Sequence, residues 1–165
     1  MTDDPLALNF EHAFDIRINF DRRWMLGPVN GGDRIGYTSV GAGGTVSGPK
    51  LNGKLVDYGG ADWPVVRTDN VVEVNAHYMI EADDGTLIYI RNLGYVHGPV
   101  RSSTCPPDAE PDIAPYFRCT PYFRAPAGPY EWLNRMVVIG TGKRVPKVHE
   151  NDPPDHSLFR YYLLL

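Results

Sequence analysis

Three side chains suited to moving protons lie close together in the sequence: Asp62, Glu73 and His77. Two carboxylates and an imidazole are groups that general acid–base catalysis uses near neutral pH. In a catalytic interpretation, Asp62 or His77 exchanges a proton with a ligand, and Glu73 orients His77. The alternative is that Glu73 and His77 lie on the solvent-exposed face of a sheet, and the sequence leaves both open.

Asp62 belongs to the segment Gly-Gly-Ala-Asp-Trp-Pro at residues 59–64. The paired glycines permit a tight turn, and Pro64 favours an extended Trp63. Asp62 then either caps this turn or acts as an acid or base. Trp63 either closes one end of the fold or forms an aromatic wall of a pocket.

Residues that would bind a ligand come from neighbouring segments. Direct cross-strand neighbours share a face, so Tyr89 and Arg91 can join the face of Glu73 and His77. Tyr116 and Arg118 alternate with apolar residues, and an arginine there either stabilises negative charge on a substrate oxygen or pairs with a carboxylate. Trp63, Tyr116 and Trp132 would supply apolar walls.

Short strands must position these side chains. Phe14, Ile16, Ile18 and Phe20 alternate with polar residues, which predicts a half-buried strand. The Asp84-Gly85 pair between residues 71–81 and 87–93 is a strong hairpin signal. Further short strands are predicted near residues 34–40, 52–57, 65–68, 116–120, 122–125, 135–142 and 157–165, with one helical turn at 130–134.

This pattern predicts an all-β chain, folded as a single antiparallel, lipocalin-like β-barrel with at most short helical turns. A barrel removes the exposed edges of so many strands and can hold a ligand. The whole chain, residues 1–165, is expected to be one domain. Residues 98–115, which are proline-rich, are predicted to form a long loop that acts as a lid or binding element.

Composition and charge restrict the partners. The 165 residues include 17 glycines and 15 prolines, and the net charge is −4. No basic surface is expected to attract nucleic acid, and no apolar run approaches the roughly 18 residues that span a membrane. The acidic N-terminus lacks a signal peptide's apolar core, so we expect a cytoplasmic protein with free thiols at Cys105 and Cys119, although a disulfide stays open.

Several chemistries have no motif in this sequence. The histidines and cysteines lack zinc spacing, no Gly-x-Ser-x-Gly elbow occurs, and no strand–turn–helix unit could hold a dinucleotide. The glycine-rich stretch at residues 41–53 is predicted to be a bent strand, because Pro49 blocks the helix that a phosphate loop needs. We therefore expect no cofactor and no metal.

Five short motifs occur in a fixed order along the chain: GTVSGPKLNG at 44–53, GGADW at 59–63, DGTLIYIRN at 84–92, YFR at 116–118 and WLN at 132–134. This ordered set resembles the domain-of-unknown-function 3237 family of small bacterial and fungal proteins. The likeness covers residues 14–145. It implies a lipocalin-like or allene-oxide-cyclase-like barrel, and related barrels guide cyclisation, isomerisation or water addition without a cofactor.

Two features depart from the family pattern. His77-Tyr78 stands where the family usually has Arg-Tyr, which replaces a permanent cation with a titratable group. Residues 146–165 also diverge, and they either close the barrel or contact another subunit of a homo-oligomer.

The sequence therefore predicts a cofactor-independent cyclase, isomerase or lyase that acts by acid–base chemistry on an apolar aromatic or polyketide-like small molecule in the barrel. Catalysis would use Asp62, His77 and Glu73. Binding would use Trp63, Tyr89, Arg91, Tyr116, Arg118 and Trp132. The alternatives are a carrier that binds an apolar ligand without turning it over and a structural subunit with a solid interior.

Overall fold

The chain folds almost entirely as β-strands in the computed structural model, which describes residues 4, 6–98 and 115–165. The strands are β1 (Phe10–Pro28), β2 (Arg34–Val40), β3 (Thr45–Ser47), β4 (Gly53–Leu55), β5 (Ala61–Asp62), β6 (Val65–Val66), β7 (Val72–Ala82), β8 (Leu87–His97), β9 (Tyr116–Arg124), β10 (Val138–Val145) and β11 (His156–Leu164). Within the described residues, the single helical element is the 3-10 turn Glu131–Asn134. The predicted all-β fold with at most short helical turns is confirmed.

The sheet closes on itself into a barrel. Its antiparallel strands follow the order β4-β3-β1-β11-β10-β9-β8-β7, and β4 also pairs with β7, so these strands form a ring. A second series of pairings, β1 with β2, β2 with β5 and β5 with β7, also connects β1 to β7, nearer the other end of the barrel. The short strands β3 and β4 close one end, and β2, β5 and β6 close the other.

β1 is long because its two halves have different partners. Phe14, Ile16 and Ile18 are buried, and this half pairs with β3 and β11. From residue 21 onwards the strand is exposed and pairs with β2. The periodic apolar residues predicted the buried half only, because the exposed half carries no alternation to detect.

Side chains along the β7–β8 hairpin alternate between the inner and outer faces of the sheet. Val74, Ala76, Tyr78 and Ile80 point into the barrel, whereas the residues between them are only partly buried. Ile88, Ile90 and Asn92 occupy the same inner face on β8. Buried apolar side chains fill most of the interior, so the barrel is a packed core at its centre.

The C-terminal segment supplies a central strand, since β11 lies between β1 and β10. Residues 156–164 therefore help to close the barrel, as one of the two expected roles holds, and contact with another subunit stays a prediction. The predicted loop at 98–115 lies almost wholly outside the described residues, as does Cys105, while Cys119 is buried in β9. The described part of the chain contains no helix with the length and apolarity to cross a membrane.

Candidate active site

The residues predicted to act together lie on opposite faces of the sheet. Asp62 pairs directly with Ala76, whose side chain points into the barrel, so Asp62 shares the inner face. His77 is the next residue of β7 and lies on the outer face, because side chains alternate along a strand. One sheet therefore separates the two proton carriers that the sequence suggested.

His77 is held by neutral partners on the outer face. Its Nδ1 lies 2.6 Å from the Tyr89 hydroxyl and its Nε2 lies 3.2 Å from Asn75 Oδ1. Burial, with a smaller effect from Arg91, lowers the pKa of His77. Glu73 is not a partner of His77, since its carboxylate lies 3.4 Å from Arg67 Nη1. The expected orienting contact from Glu73 is thus replaced by Tyr89 and Asn75.

The predicted arginines also lie on the outer face, with partners nearby. Arg91 Nε donates to Asn75 Oδ1 at 3.3 Å. Arg118 donates to the Phe117 carbonyl at 2.9 Å, and its guanidinium lies 5.2 Å from the centre of the Tyr116 ring. An open groove of about 890 Å³ brings Glu73, Arg91, Tyr116 and Arg118 together there.

The two predicted tryptophans stand apart from that groove. Trp63 is 42% exposed, and its ring contacts Tyr37 and His77 edge-on, with centroids 5.7 and 5.9 Å apart. Trp132 belongs to the 3-10 turn and packs against the core. This turn follows β9, at the end of the barrel where the β7–β8 hairpin turns, so Trp132 cannot share a pocket with Trp63.

Inside the barrel, at the end closed by β2 and β5, a cavity of about 40 Å³ remains between the side chains. Most of its walls are apolar, and its polar lining residues include Asp62, Asn92 and Ser157. The lining residues are Ile18, Phe20, Val40, Ala61, Asp62, Val74, Ala76, Tyr78, Asn92, Phe117, Ser157 and Phe159. The aromatic walls are therefore Phe20, Phe117, Phe159 and Tyr78, rather than the predicted residues.

Asp62 is the acidic group of this cavity. Its Oδ1 accepts a hydrogen bond of 3.0 Å from the Asn75 backbone N–H. Burial raises the pKa of Asp62 to about 6, against smaller lowering effects from that hydrogen bond and from Arg23. A carboxyl with this pKa can donate or accept a proton near neutral pH, as a general acid or base must.

Asn92 is a candidate site residue that the sequence reasoning missed. It is fully buried, and neither its Nδ2 nor its Oδ1 has a hydrogen-bond partner among the described protein groups. The Cys119 thiol lies beside the amide without making a hydrogen bond of good geometry. A buried polar atom left without a partner costs about 1–3 kcal/mol. The available signal was a polar residue on the same face as Ile88 and Ile90.

Asp62 is the one lining residue with a pKa near neutrality. The Tyr78 hydroxyl lies 3.4 Å from the Tyr161 hydroxyl, and burial raises the pKa values of both phenols above their ordinary range. Burial likewise raises the pKa of the neighbouring Cys119 thiol to about 12. At pH 7 these three groups stay protonated and can donate hydrogen bonds, but they do not act as bases.

A charged cluster stands at the same end of the barrel. Arg144 donates to Asp155 Oδ2, and Arg23 Nη2 lies 3.0 Å from the same oxygen as an ion pair. The Arg23 and Arg144 guanidiniums lie 5.2 and 4.5 Å from the centre of the Phe20 ring. Phe20 is itself part of the cavity wall. The arrangement fixes Phe20 between the cavity and the solvent and places one net positive charge near Asp62.

The interior cavity is the stronger candidate for chemistry. Its polar groups act in a low dielectric, where electrostatic interactions are larger than in the open groove. Among the described residues, no group of three or more His, Cys, Asp or Glu side chains is placed to hold a metal ion. Asp62 can move a proton and Asn92 can bind a polar group, and both face the same small space.

Comparison with protein families places most of the chain within a known family. The family model described as "Protein of unknown function (DUF3237)" matches residues 8–162, a range that extends past both ends of the likeness at 14–145. A UPF0311 protein of Clostridium acetobutylicum is 31% identical over 147 residues, which cover 85% of this chain and 89% of that protein. A UPF0311 protein of Rhodopseudomonas palustris strain TIE-1 is 34% identical over 105 residues, covering 62% of this chain and 67% of that protein.

Solved structures share the fold. A β-barrel-like protein of Acinetobacter baumannii superposes with a TM-score of 0.83 at 25% identity, covering 99% of this chain and 100% of that chain. An enzyme from Penicillium herquei superposes with a TM-score of 0.65 at 19% identity, with both chains covered completely. The second likeness shows a common fold and nothing about activity.

Proposed function

This chain belongs to the DUF3237 family of proteins of unknown function, and we propose that it is an enzyme in which Asp62 moves a proton to or from a small molecule. The molecule is held at the end of the barrel closed by β2 and β5. The observation that carries the proposal is a carboxyl with a pKa of about 6 that faces an otherwise apolar cavity.

Asp62 alone suits this role among the cavity residues. As a carboxylate it removes a proton from a carbon or hydroxyl group, and as a carboxylic acid it returns the proton at another atom of the same molecule. Cyclisation, isomerisation and elimination all contain such a transfer and need no redox partner. These reactions on an apolar aromatic or polyketide-like molecule are the classes that we propose.

The surrounding side chains support the same step. Asn92 can stabilise negative charge on a substrate oxygen by donating from Nδ2, as the donors of an oxyanion hole do. Phe20, Phe117 and Phe159 keep water away from the reacting atoms and favour an apolar substrate. The enzyme from Penicillium herquei offers a precedent for catalysis on this fold, at the level of the fold alone.

Deuterium exchange tests the proposal without a known substrate. The protein is incubated in D₂O with 2-tetralone and, separately, with acetophenone, and NMR follows deuteration of the carbon next to the carbonyl. After the buffer rate is subtracted, we expect the wild-type protein to catalyse exchange about 100-fold faster than Asp62→Asn. This factor is at the lower end of the range for general acid–base catalysis. Glu73→Gln, a carboxylate removed from the outer face, is the matched control and should exchange like the wild type.

A carrier is the second candidate, and the unpartnered amide of Asn92 is the observation that favours it, because an amide recognises a ligand without titrating. A carrier would bind the ketones with no exchange above the buffer rate in any variant. Equal exchange by wild type and Asp62→Asn would sink the enzymatic proposal. Cytoplasmic location and homo-oligomer formation stay predictions from the sequence.

A further inference from the structure

Asn92 places an unused hydrogen-bonding group inside the barrel. Its side chain is fully buried on the face of β8 that also carries Ile88 and Ile90. A leucine would fit such a strand with no polar atoms to satisfy, yet both Nδ2 and Oδ1 here have no partner among the described protein groups. Because Asn92 lines the cavity, a group that enters the cavity comes close to this side chain.

The amide requires a particular kind of partner. A side-chain amide presents two N–H donors beside one carbonyl acceptor in a single plane. A ligand satisfies both sides when it offers an acceptor beside a donor. A ketone or an ether offers acceptors only, so it would leave the buried Oδ1 unpaired.

The volume of the cavity limits how much of a ligand can enter. The space is about 40 Å³, close to the roughly 30 Å³ that one water molecule occupies in the liquid. A single functional group fits, but a ring does not. The body of the ligand must therefore lie towards the end of the barrel, near the Phe20 ring.

The charges around the cavity favour a neutral group. Asp62 is largely ionised at pH 7, since burial raises its pKa only to about 6. Arg23 and Arg144 share the single carboxylate of Asp155, and neither arginine lines the cavity. A ligand carboxylate inside the cavity would therefore meet the like charge of Asp62 directly, with the arginines outside the cavity wall.

We propose that Asn92 is the specificity-determining residue of this site and that it selects a neutral amide group, a carboxamide or a lactam, on an apolar molecule. The amide N–H donates to Asn92 Oδ1, and the amide carbonyl accepts from Asn92 Nδ2. Amides stay neutral over the whole pH range in which Asp62 titrates. The inference builds on the cavity of the proposed function and specifies the ligand that the cavity binds.

Three small aromatic probes of similar shape test the proposal by isothermal titration calorimetry at pH 7: benzamide, acetophenone and benzoate. Benzamide has the donor and the acceptor, acetophenone has the acceptor alone, and benzoate carries a charge. We expect benzamide to bind wild-type protein about tenfold or more tightly than acetophenone, the value of one hydrogen bond to a buried group. Benzoate should bind more weakly than benzamide.

Variants connect the preference to Asn92. Asn92→Leu keeps the size and should bring the affinities for benzamide and acetophenone to within about twofold, and Asn92→Thr, which keeps a hydroxyl, guards against misfolding of the leucine variant. Thermal melting verifies that each variant is folded. Three results would each overturn the proposal: equal binding of benzamide and acetophenone by the wild type, tighter binding of benzoate than of benzamide, or no binding of benzamide. The last result would mean that the Asn92 side chain is hydrogen-bonded to a bound water molecule.

The outcome is separable from that of the proposed function. Asp62→Asn should retain the preference for benzamide, because Asn92 is unchanged in it. If exchange into ketones fails while Asp62→Asn still prefers benzamide, the catalytic role is lost and the amide specificity stands. If exchange depends on Asp62 but benzamide binds no more tightly than acetophenone, the catalytic role stands and the amide specificity is lost.

Discussion

Asp62 and Asn92 lie on either side of Ala76 in one row across three neighbouring strands. Asp62 of β5 is the direct partner of Ala76 on β7, and Ala76 is the direct partner of Asn92 on β8. Strands lie about 4.8 Å apart, which separates the outer two Cα atoms by roughly 10 Å. All three residues line the cavity, and the small side chain of Ala76 leaves space open between its two neighbours.

The first prediction concerns stability and pH. Burial raises the pKa of Asp62 from 3.8 to about 6, so the folded protein binds this proton more tightly than the unfolded chain does. The carboxylate therefore costs stability progressively as pH rises from about 4 through about 6, by at most about 3 kcal/mol. Urea unfolding should show Asp62→Asn equal to wild type near pH 4 and more stable than wild type at pH 8.

Asparagine suits this test because its side-chain oxygen can still accept the hydrogen bond from the Asn75 N–H. Asp57→Asn, at an exposed position, controls for the change in net charge. A stability difference between Asp62→Asn and wild type that stays constant from pH 4 to pH 8 would show that the Asp62 carboxyl titrates normally.

The second prediction concerns the space beside Ala76. Ala76→Val adds two methyl groups on the inner face, in a cavity of only about 40 Å³, so we expect at least about tenfold weaker binding of benzamide. Overpacking should cost about 1–3 kcal/mol. Ala82→Val provides the control, since Ala82 is equally buried on the same face of β7 but does not line the cavity. Equal loss of benzamide binding in both variants would argue against a site beside Ala76.

The sequence predicted the fold well where side chains alternate. The hairpin of β7 and β8 and the strand around Phe14 follow from period-two patterns and an Asp-Gly turn, which are local signals. The two-residue strands β5 and β6 carry too few side chains to show a period. They exist because they pair with β2 and β7, a long-range relationship that no local pattern encodes.

The site was predictable only in part. The glycine pair marked the segment of Asp62, but only Ala61 and Asp62 of residues 59–64 form a strand, too short to show a period. The side of the sheet that Asp62 faces therefore depends on its pairing with Ala76. On β7 the alternation did group Glu73 with His77, and that face is the outer one. Which face is buried depends on barrel closure, and the polar residue on the apolar face, Asn92, was the more informative signal.

The third prediction concerns Gly60, which holds the Asp62 segment against β7. A Cβ at this position would lie 2.0 Å from the His77 carbonyl oxygen and 2.5 Å from Tyr78 Cα, both backbone atoms that cannot move aside freely. Gly60→Ala should therefore cost more than about 3 kcal/mol in urea unfolding, beyond an ordinary surface substitution. Gly27→Ala is the matched control, because a Cβ there meets no atom within 4 Å. Similar stabilities of the two variants would contradict the close approach at Gly60.

The last prediction concerns the charge that acts on Asp62. Arg23 lowers the pKa of Asp62 against the larger effect of burial, because a nearby positive charge favours the carboxylate. Arg23→Gln removes this charge and should shift the Asp62 titration, followed by carbon-13 NMR of its carboxyl, to a pH above about 6. Arg22→Gln removes an equal charge from the neighbouring residue, which pairs with Asp21, and should leave the titration in place. A shift of the same size in both variants would mean that net charge, rather than the position of Arg23, sets the proton affinity of Asp62.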